Sequence, residues 1–233
     1  MLSISKLCCV RQQQQFHYQL EVNPGEVVAL LGASGCGKST LLELIAGFVP
    51  ASSGSLSWLG EDLLDLPIKQ RPVTSLFQQH NLFHHLSIEQ NIALGLSPSL
   101  TLNAQQREQL SQIANNLGIA GLLNKRPDQV SGGQQQRAAL ARCLVRQQPI
   151  LLLDEPFSAL DPMLRLECLE LVKQLAEEWQ LAVIMVTHQW QDAQRVAERV
   201  AFIEAGTTRQ FASPAELLAS PNNAHIARYL ACS

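Results

Sequence analysis

A chain of 233 residues, 46% of them hydrophobic, is long enough for one large α/β domain or for a core domain that carries a subdomain. Its formal charge of -3 argues against a nucleic-acid binder, which would normally show a basic face. The six cysteines are scattered, with no C-x-x-C pair, and read as reduced thiols of a cytoplasmic protein; no apolar run suffices for a membrane span or, near Met1, for a signal peptide.

Two strand-like segments, Ser3–Val10 and Phe16–Val22, flank a polar bend of four glutamines at 12–15. Asn23-Pro24-Gly25 signals a turn. Glu26–Leu31 follows as a strand apolar on both faces, then a glycine-rich loop and a helix through Leu41–Ala46 that Gly47 stops. Between Asn81 and Gln147 the pattern becomes helical: Ser87–Ala93, Ala104–Leu117 and a helix starting near Ser131. Ile150–Leu153 and Leu181–Val186 repeat the fully apolar strand pattern, with a helix between them that Asp161-Pro162 opens and that runs through Trp179. After Phe202 come a short strand pair and a last helix opening with the capping box Ser213-Pro214-Ala215-Glu216. The fold class expected is α/β: a mostly parallel sheet wrapped by helices, with an N-terminal antiparallel element. The whole chain, 1–233, reads as one domain with its core at about 1–80 and 148–233 and a helical subdomain inserted at about 81–147.

Gly32-Ala33-Ser34-Gly35-Cys36-Gly37-Lys38-Ser39 fits the pattern G-x-x-x-x-G-K-[ST], and Thr40 follows. Its glycines let successive backbone N–H groups turn inward around a phosphate, Lys38 reaches the terminal phosphates, and Ser39 offers a hydroxyl to Mg²⁺. The flanking strand and helix stand where that chemistry needs them, so an ordinary glycine turn is the weaker reading. Ile150–Leu153 runs into Asp154-Glu155: the first acid is placed to hold Mg²⁺, the second to polarise an attacking water. Ser131-Gly132-Gly133-Gln134 is by itself a capping box. The two glycines in its first turn weaken a helix by roughly 1 kcal/mol each, which makes sense where an anion approaches the backbone. A two-fold dimer could bring Ser131 of one copy to Lys38 of the other.

Together these residues resemble the ATP-binding cassette (ABC) transporter ATPases, from the first strand to about residue 215. Val130 stands where that family usually has leucine, an apolar replacement. The resemblance implies a P-loop NTPase fold, with ATP and Mg²⁺ bound by the 32–40 loop and by Ser131–Gln134 of the opposite copy. It implies that Gln78 touches the Mg²⁺ and water, that Ser158–Asp161 is the family's D-loop, and that His188 contacts the γ-phosphate. Ser39, Gln78 and Asp154 form the implied metal set; Glu155, His188 and Gln78 the implied catalytic one. The family stacks an aromatic on adenine at a position near Cys9–Arg11. This chain has none there, leaving the Arg11 guanidinium as the flat group available; Tyr18 reads as a core residue.

The segment Asn81–Ser87 lies where family members dock a permease helix, with Leu82, Phe83 and Leu86 as candidate anchors. Residues 76–96, 97–104 and 142–162 are similar to the subunits that energise thiamine import. That similarity implies a homodimer at the cytoplasmic face of a bacterial inner membrane, with integral-membrane permease subunits as partners. A periplasmic thiamine-binding protein would be an indirect partner, and no nucleic acid is expected. One cassette with nothing fused to it suits such an importer. Two alternatives stay open: an importer of iron, polyamine or sulfate, and an ABC ATPase that does not serve transport.

Overall fold

In the computed structural model, residues 1–11, 13–76, 82–158 and 160–232 are described. The N-terminal pair consists of β1 (Leu2–Arg11) and β2 (Gln14–Val22), antiparallel, with Val10 opposite Gln15 and Arg11 opposite Gln14. The glutamine bend is thus shorter than the composition suggested. Gln13 turns the chain with φ 67, and Gln14 and Gln15 already belong to the ladder. Apolar residues alternate with polar ones along β2 and bury Phe16, Tyr18, Leu20 and Val22 on one face.

β3 (Val27–Leu31) is buried along its whole length and leads through the glycine loop into α1 (Lys38–Ala46). Gly47 ends that helix in the left-handed conformation, φ 91. Arg71 completes the stop. Its guanidinium is buried and donates to the α1 carbonyls of Leu44 at 2.8 Å and Ile45 at 2.9 Å, and also to Leu64 and Leu66. A cation fixed at a helix C-terminus complements the negative end of its dipole. Strands β4 (Ser53–Trp58), β5 (Glu61–Asp62) and β6 (Val73–Leu76) follow.

Three helices come next: α2 (Ile88–Ala93), α3 (Ala104–Asn116) and α4 (Gly132–Leu144), each opened by a reciprocal capping box at Ser87, Asn103 or Ser131. β7 (Ile150–Asp154), α5 (Pro162–Trp179) and β8 (Ala182–Val186) match their expected positions. The Asp161 carboxylate caps α5 by accepting from Met163 and Leu164, both at 3.1 Å. The chain ends with α6 (Trp190–Val196), β9 (Arg199–Glu204), β10 (Thr207–Ala212), α7 (Pro214–Ala219) and α8 (Ala224–Cys232). The helix opened by Ser213 is therefore not the last. Asn223 caps α8 through the Ile226 amide at 2.9 Å, and Ile226, Tyr229 and Leu230 set its inner face at helical spacing.

The described strands form one ten-stranded sheet in the order β5-β4-β1-β2-β10-β9-β3-β8-β7-β6. The run from β9 to β6 is parallel and the N-terminal portion largely antiparallel. Side-chain alternation sends successive residues to opposite faces. Leu151, Leu153, Val183 and Met185 pack with α2–α5, while Ile150, Leu152, Ala182 and Ile184 pack with α1 and the N-terminal strands. α6–α8 cover Ala29, Leu31 and Phe202. No helix among the described residues is long and apolar enough to cross a membrane.

Candidate functional site

The strand order puts the carboxyl ends of β3, β8 and β7 side by side, with Leu30 opposite Val186 and Val186 opposite Asp154. Neighbouring strands lie about 4.8 Å apart, so the segments leaving β3 and β7 start about 10 Å from each other with the end of β8 between them. Open α/β sheets bind ligands at such ends.

The loop after β3 is built from three glycines with positive φ: Gly32 at 143, Gly35 at 75 and Gly37 at 109. At Gly32 a Cβ would lie 2.1 Å from the Ile203 carbonyl oxygen, which no side chain tolerates. The loop is fastened from behind. The Tyr18 hydroxyl donates to the Gly37 carbonyl at 2.7 Å, and the Gly206 amide donates to the Cys36 carbonyl at 2.9 Å. Tyr18 is thus the core residue expected, and it also supports the loop. On the free side a Cβ at Gly35 would project into open space. Lys38 is 5% exposed, and its ammonium donates to the carbonyls of Gly32 at 2.7 Å and Ala33 at 2.9 Å. Burial lowers its pKa, opposed by Cys36, Glu155 and Asp154.

Ser34, Gly35, Gly37, Lys38, Ser39 and Thr40 line one side of a cavity of about 300 Å³, and Glu155 and His188 line the other. The Glu155 carboxylate and the His188 Nε2 are hydrogen-bonded to each other. Glu155 has a left-handed backbone, φ 48, and its amide donates to the Val186 carbonyl at 3.2 Å. A non-glycine residue in that region stores about 1–3 kcal/mol, and the backbone bond to β8 helps hold it there. Ser158 Oγ donates to the Glu155 carbonyl at 3.2 Å from the turn that follows. Asp154 is buried and hydrogen-bonded to Ser39. Burial raises its pKa, and the Ser39 bond and the Lys38 charge oppose the shift. A serine hydroxyl beside a carboxylate is a hard oxygen pair, the donor set that suits Mg²⁺ shared with phosphate oxygens.

Ser131, Gly132, Gly133 and Gln134 do not line this cavity. Ser131 Oγ accepts from the Gln134 amide at 3.3 Å and the Gln134 side chain accepts from the Ser131 amide at 3.1 Å, the reciprocal cap expected. Gly132 faces open space, whereas a Cβ on Gly133 would come 2.9 Å from Leu164. Gln78 lies outside the described residues, as does Ala159 of the Ser158–Asp161 turn. Arg11 forms an ion pair with Glu43 of α1. Of the three proposed anchors, Leu82 is in the core, Leu86 is half-buried and Phe83 is exposed. Sequence reasoning did not notice Asn91, fully buried, which binds the Phe83 amide and the carbonyls of Phe83, Leu86 and Ser87 and so shapes that loop. An asparagine on the inner face of a short helix was the available signal.

The family model described as ABC transporter matches residues 16–158. The thiamine import ATP-binding protein ThiQ of Vibrio cholerae serotype O1 is 47% identical over all of this chain and 98% of its own length. ThiQ of Salmonella typhimurium is 50% identical over 96% of this chain and 95% of its own. Among solved structures, cbiO1 from Clostridium perfringens, part of the ABC transporter complex cbiONQ, superposes with a TM-score of 0.85 at 26% identity, covering 94% of this chain and 90% of that one. Sequence and fold agree along nearly the whole length: this chain belongs to the ABC transporter family, as one of its ATP-binding subunits.

Proposed function

We propose that this chain hydrolyses ATP to energise a bacterial thiamine importer, working as a homodimer on the cytoplasmic face of the inner membrane. The observation that carries the chemistry is the cavity that Lys38 and its glycine-loop neighbours line together with Glu155 and His188. The cargo assignment is supported by relatives named for thiamine import that match this chain over nearly its full length.

In this reading residues 32–40 cradle the phosphates. The positive end of α1 and the Lys38 ammonium offset their charge. Ser39 and Asp154, with Gln78, would hold Mg²⁺, which neutralises phosphate-oxygen charge when bound. Glu155 accepts a proton from the attacking water, and its hydrogen bond to His188 keeps both side chains turned to the same end of the cavity. Catalysis of this kind rests on positioning and charge stabilisation. Ser131–Gln134 cap a helix away from the Lys38 cavity, which favours their meeting the nucleotide of a second copy. The helices within 81–147 act as a subdomain facing integral-membrane permease subunits, with Phe83 as an exposed apolar contact. A periplasmic thiamine-binding protein would deliver the cargo to that permease.

Uptake of labelled thiamine by cells lacking the gene, complemented with wild type or Glu155→Gln, tests the whole reading. Only wild type is expected to restore uptake. Restoration by Glu155→Gln removes the role given to Glu155, and uptake that never depended on the gene removes thiamine as the cargo.

A further inference from the structure

His188 is fixed by its backbone as well as by its ring. Its carbonyl accepts a hydrogen bond from the Tyr229 hydroxyl at 3.3 Å. The Gly32 backbone, where the glycine loop begins, lies close enough to the same hydroxyl to oppose the upward pKa shift that burial gives the phenol. The Gly32 carbonyl in turn accepts from Lys38 at 2.7 Å. One phenol on α8 therefore bonds the His188 backbone after β8 beside the start of the glycine loop after β3, and the Gly32 carbonyl there is bonded to the Lys38 ammonium.

The ring is held where this bridge needs it. Tyr229 sits edge-on to Phe202, with ring centroids 5.2 Å apart and an interplanar angle of 82°. Its α8 neighbours Ile226 and Leu230 are buried with Leu31 and Trp190. The other flank of His188 is fastened independently. Thr187 Oγ1 accepts from the Gln189 amide at 3.1 Å and donates to Asp192 at 2.8 Å. Asp192 is buried in an ion pair with Arg165 of α5. Side chains thus fasten the backbone on both sides of His188, and the ring's hydrogen bond to Glu155 orients the imidazole.

We propose that Tyr229 is a positioning residue for ATP hydrolysis, its hydroxyl holding the His188 backbone in register with the mouth of the phosphate-binding loop. The match to the family model ends at residue 158, well before this tyrosine. The inference rests on the reading of His188 as a group that contacts the terminal phosphate. Displacements of about 1 Å at a catalytic centre cost up to roughly a hundredfold in rate, so a bridge between two such segments is worth keeping rigid. Removing one neutral hydrogen bond leaves a smaller effect, about five- to tenfold.

Tyr229→Phe keeps the ring and its packing and deletes only the hydroxyl. Steady-state hydrolysis of MgATP by the full-length variant is expected to show kcat lowered about five- to tenfold. KM for ATP and the melting temperature should stay at wild-type values. Wild-type kcat in Tyr229→Phe overturns the proposal. So does a fall in kcat accompanied by a fall in melting temperature and reproduced by Leu230→Ala, because the tyrosine would then act only through the packing of α8. His188→Ala, measured alongside, separates the two layers. If it hydrolyses ATP at the wild-type rate, the functional reading of His188 fails and takes the proposal with it. If it is inactive while Tyr229→Phe is normal, only the proposal fails.

Discussion

Lys38 combines two properties that rarely meet in one side chain, a positive charge and near-complete burial. Its ammonium is held by two loop carbonyls, and burial draws its pKa down from the ordinary lysine value. A phosphate placed in the loop would supply a stronger acceptor and favour the charged form. Charge-assisted hydrogen bonds of this kind contribute about 1.5–3 kcal/mol, so Lys38→Ala is expected to weaken ATP binding roughly ten- to hundredfold. Titration with a fluorescent nucleotide measures this, and an unchanged Kd would place the nucleotide elsewhere. Lys38 was legible because its chemistry depends on spacing within eight consecutive residues. Glu155 was legible as one of two acids after an apolar strand, but its left-handed backbone had no local signal, since glutamate seldom adopts φ 48. That conformation depends on Val186, a residue of a neighbouring strand.

At the scale of elements, the entrances to β3 and β9 are tied by Glu26 and Arg199. The Glu26 carboxylate accepts from Arg199 Nη2 at 2.7 Å, from the Asn23 backbone amide at 2.7 Å and from the Asn23 side chain at 2.9 Å. Burial alone would raise the Glu26 pKa; the Arg199 and Asn23 bonds outweigh it, and the net shift is downward from 4.5. A carboxylate with a depressed native pKa stabilises the fold fully above its unfolded value, and that contribution is lost as pH falls through the lower native value. Glu26→Gln is therefore expected to lower stability by about 1–3 kcal/mol at neutral pH, less than a fully buried pair because Arg199 is partly exposed. Urea unfolding should show the gap to wild type closing as the medium is acidified below pH 4.5. A gap independent of pH would mean that packing, and not the charge, makes the difference. Local signals located α5 to the residue, because Asp161 and Pro162 stop and start the chain within two positions. They did not reveal α8, whose inner face is needed only once Phe202 and Trp190 are in place to receive it.

For the whole molecule, the Lys38 cavity and the Ser131 helix start are separate places on one chain. Met163 and Leu166, beside the Asp161 cap, are 72% and 41% exposed and suit an interface with a second copy. Glu155→Gln with ATP is expected to run as a dimer in size-exclusion chromatography with light scattering, and adding Lys38→Ala should return it to monomer. A Glu155→Gln protein that stays monomeric at saturating ATP would contradict the shared-nucleotide arrangement. By itself the sequence pointed to the phosphate-loop motif, the acid pair, the α/β class and the caps at Ser131, Asp161 and Ser213, because each is written in residues within a few positions of one another. Only the tertiary structure decided that Lys38, Glu155 and His188 share a cavity, since β8 inserts between β3 and β7 out of chain order. It alone brought Arg71 to the end of α1 and Tyr229 to the backbones of Gly32 and His188. Those contacts join segments far apart in the chain. Their energy comes from burial and hydrogen bonds that exist only after the sheet has assembled, and no local propensity encodes them.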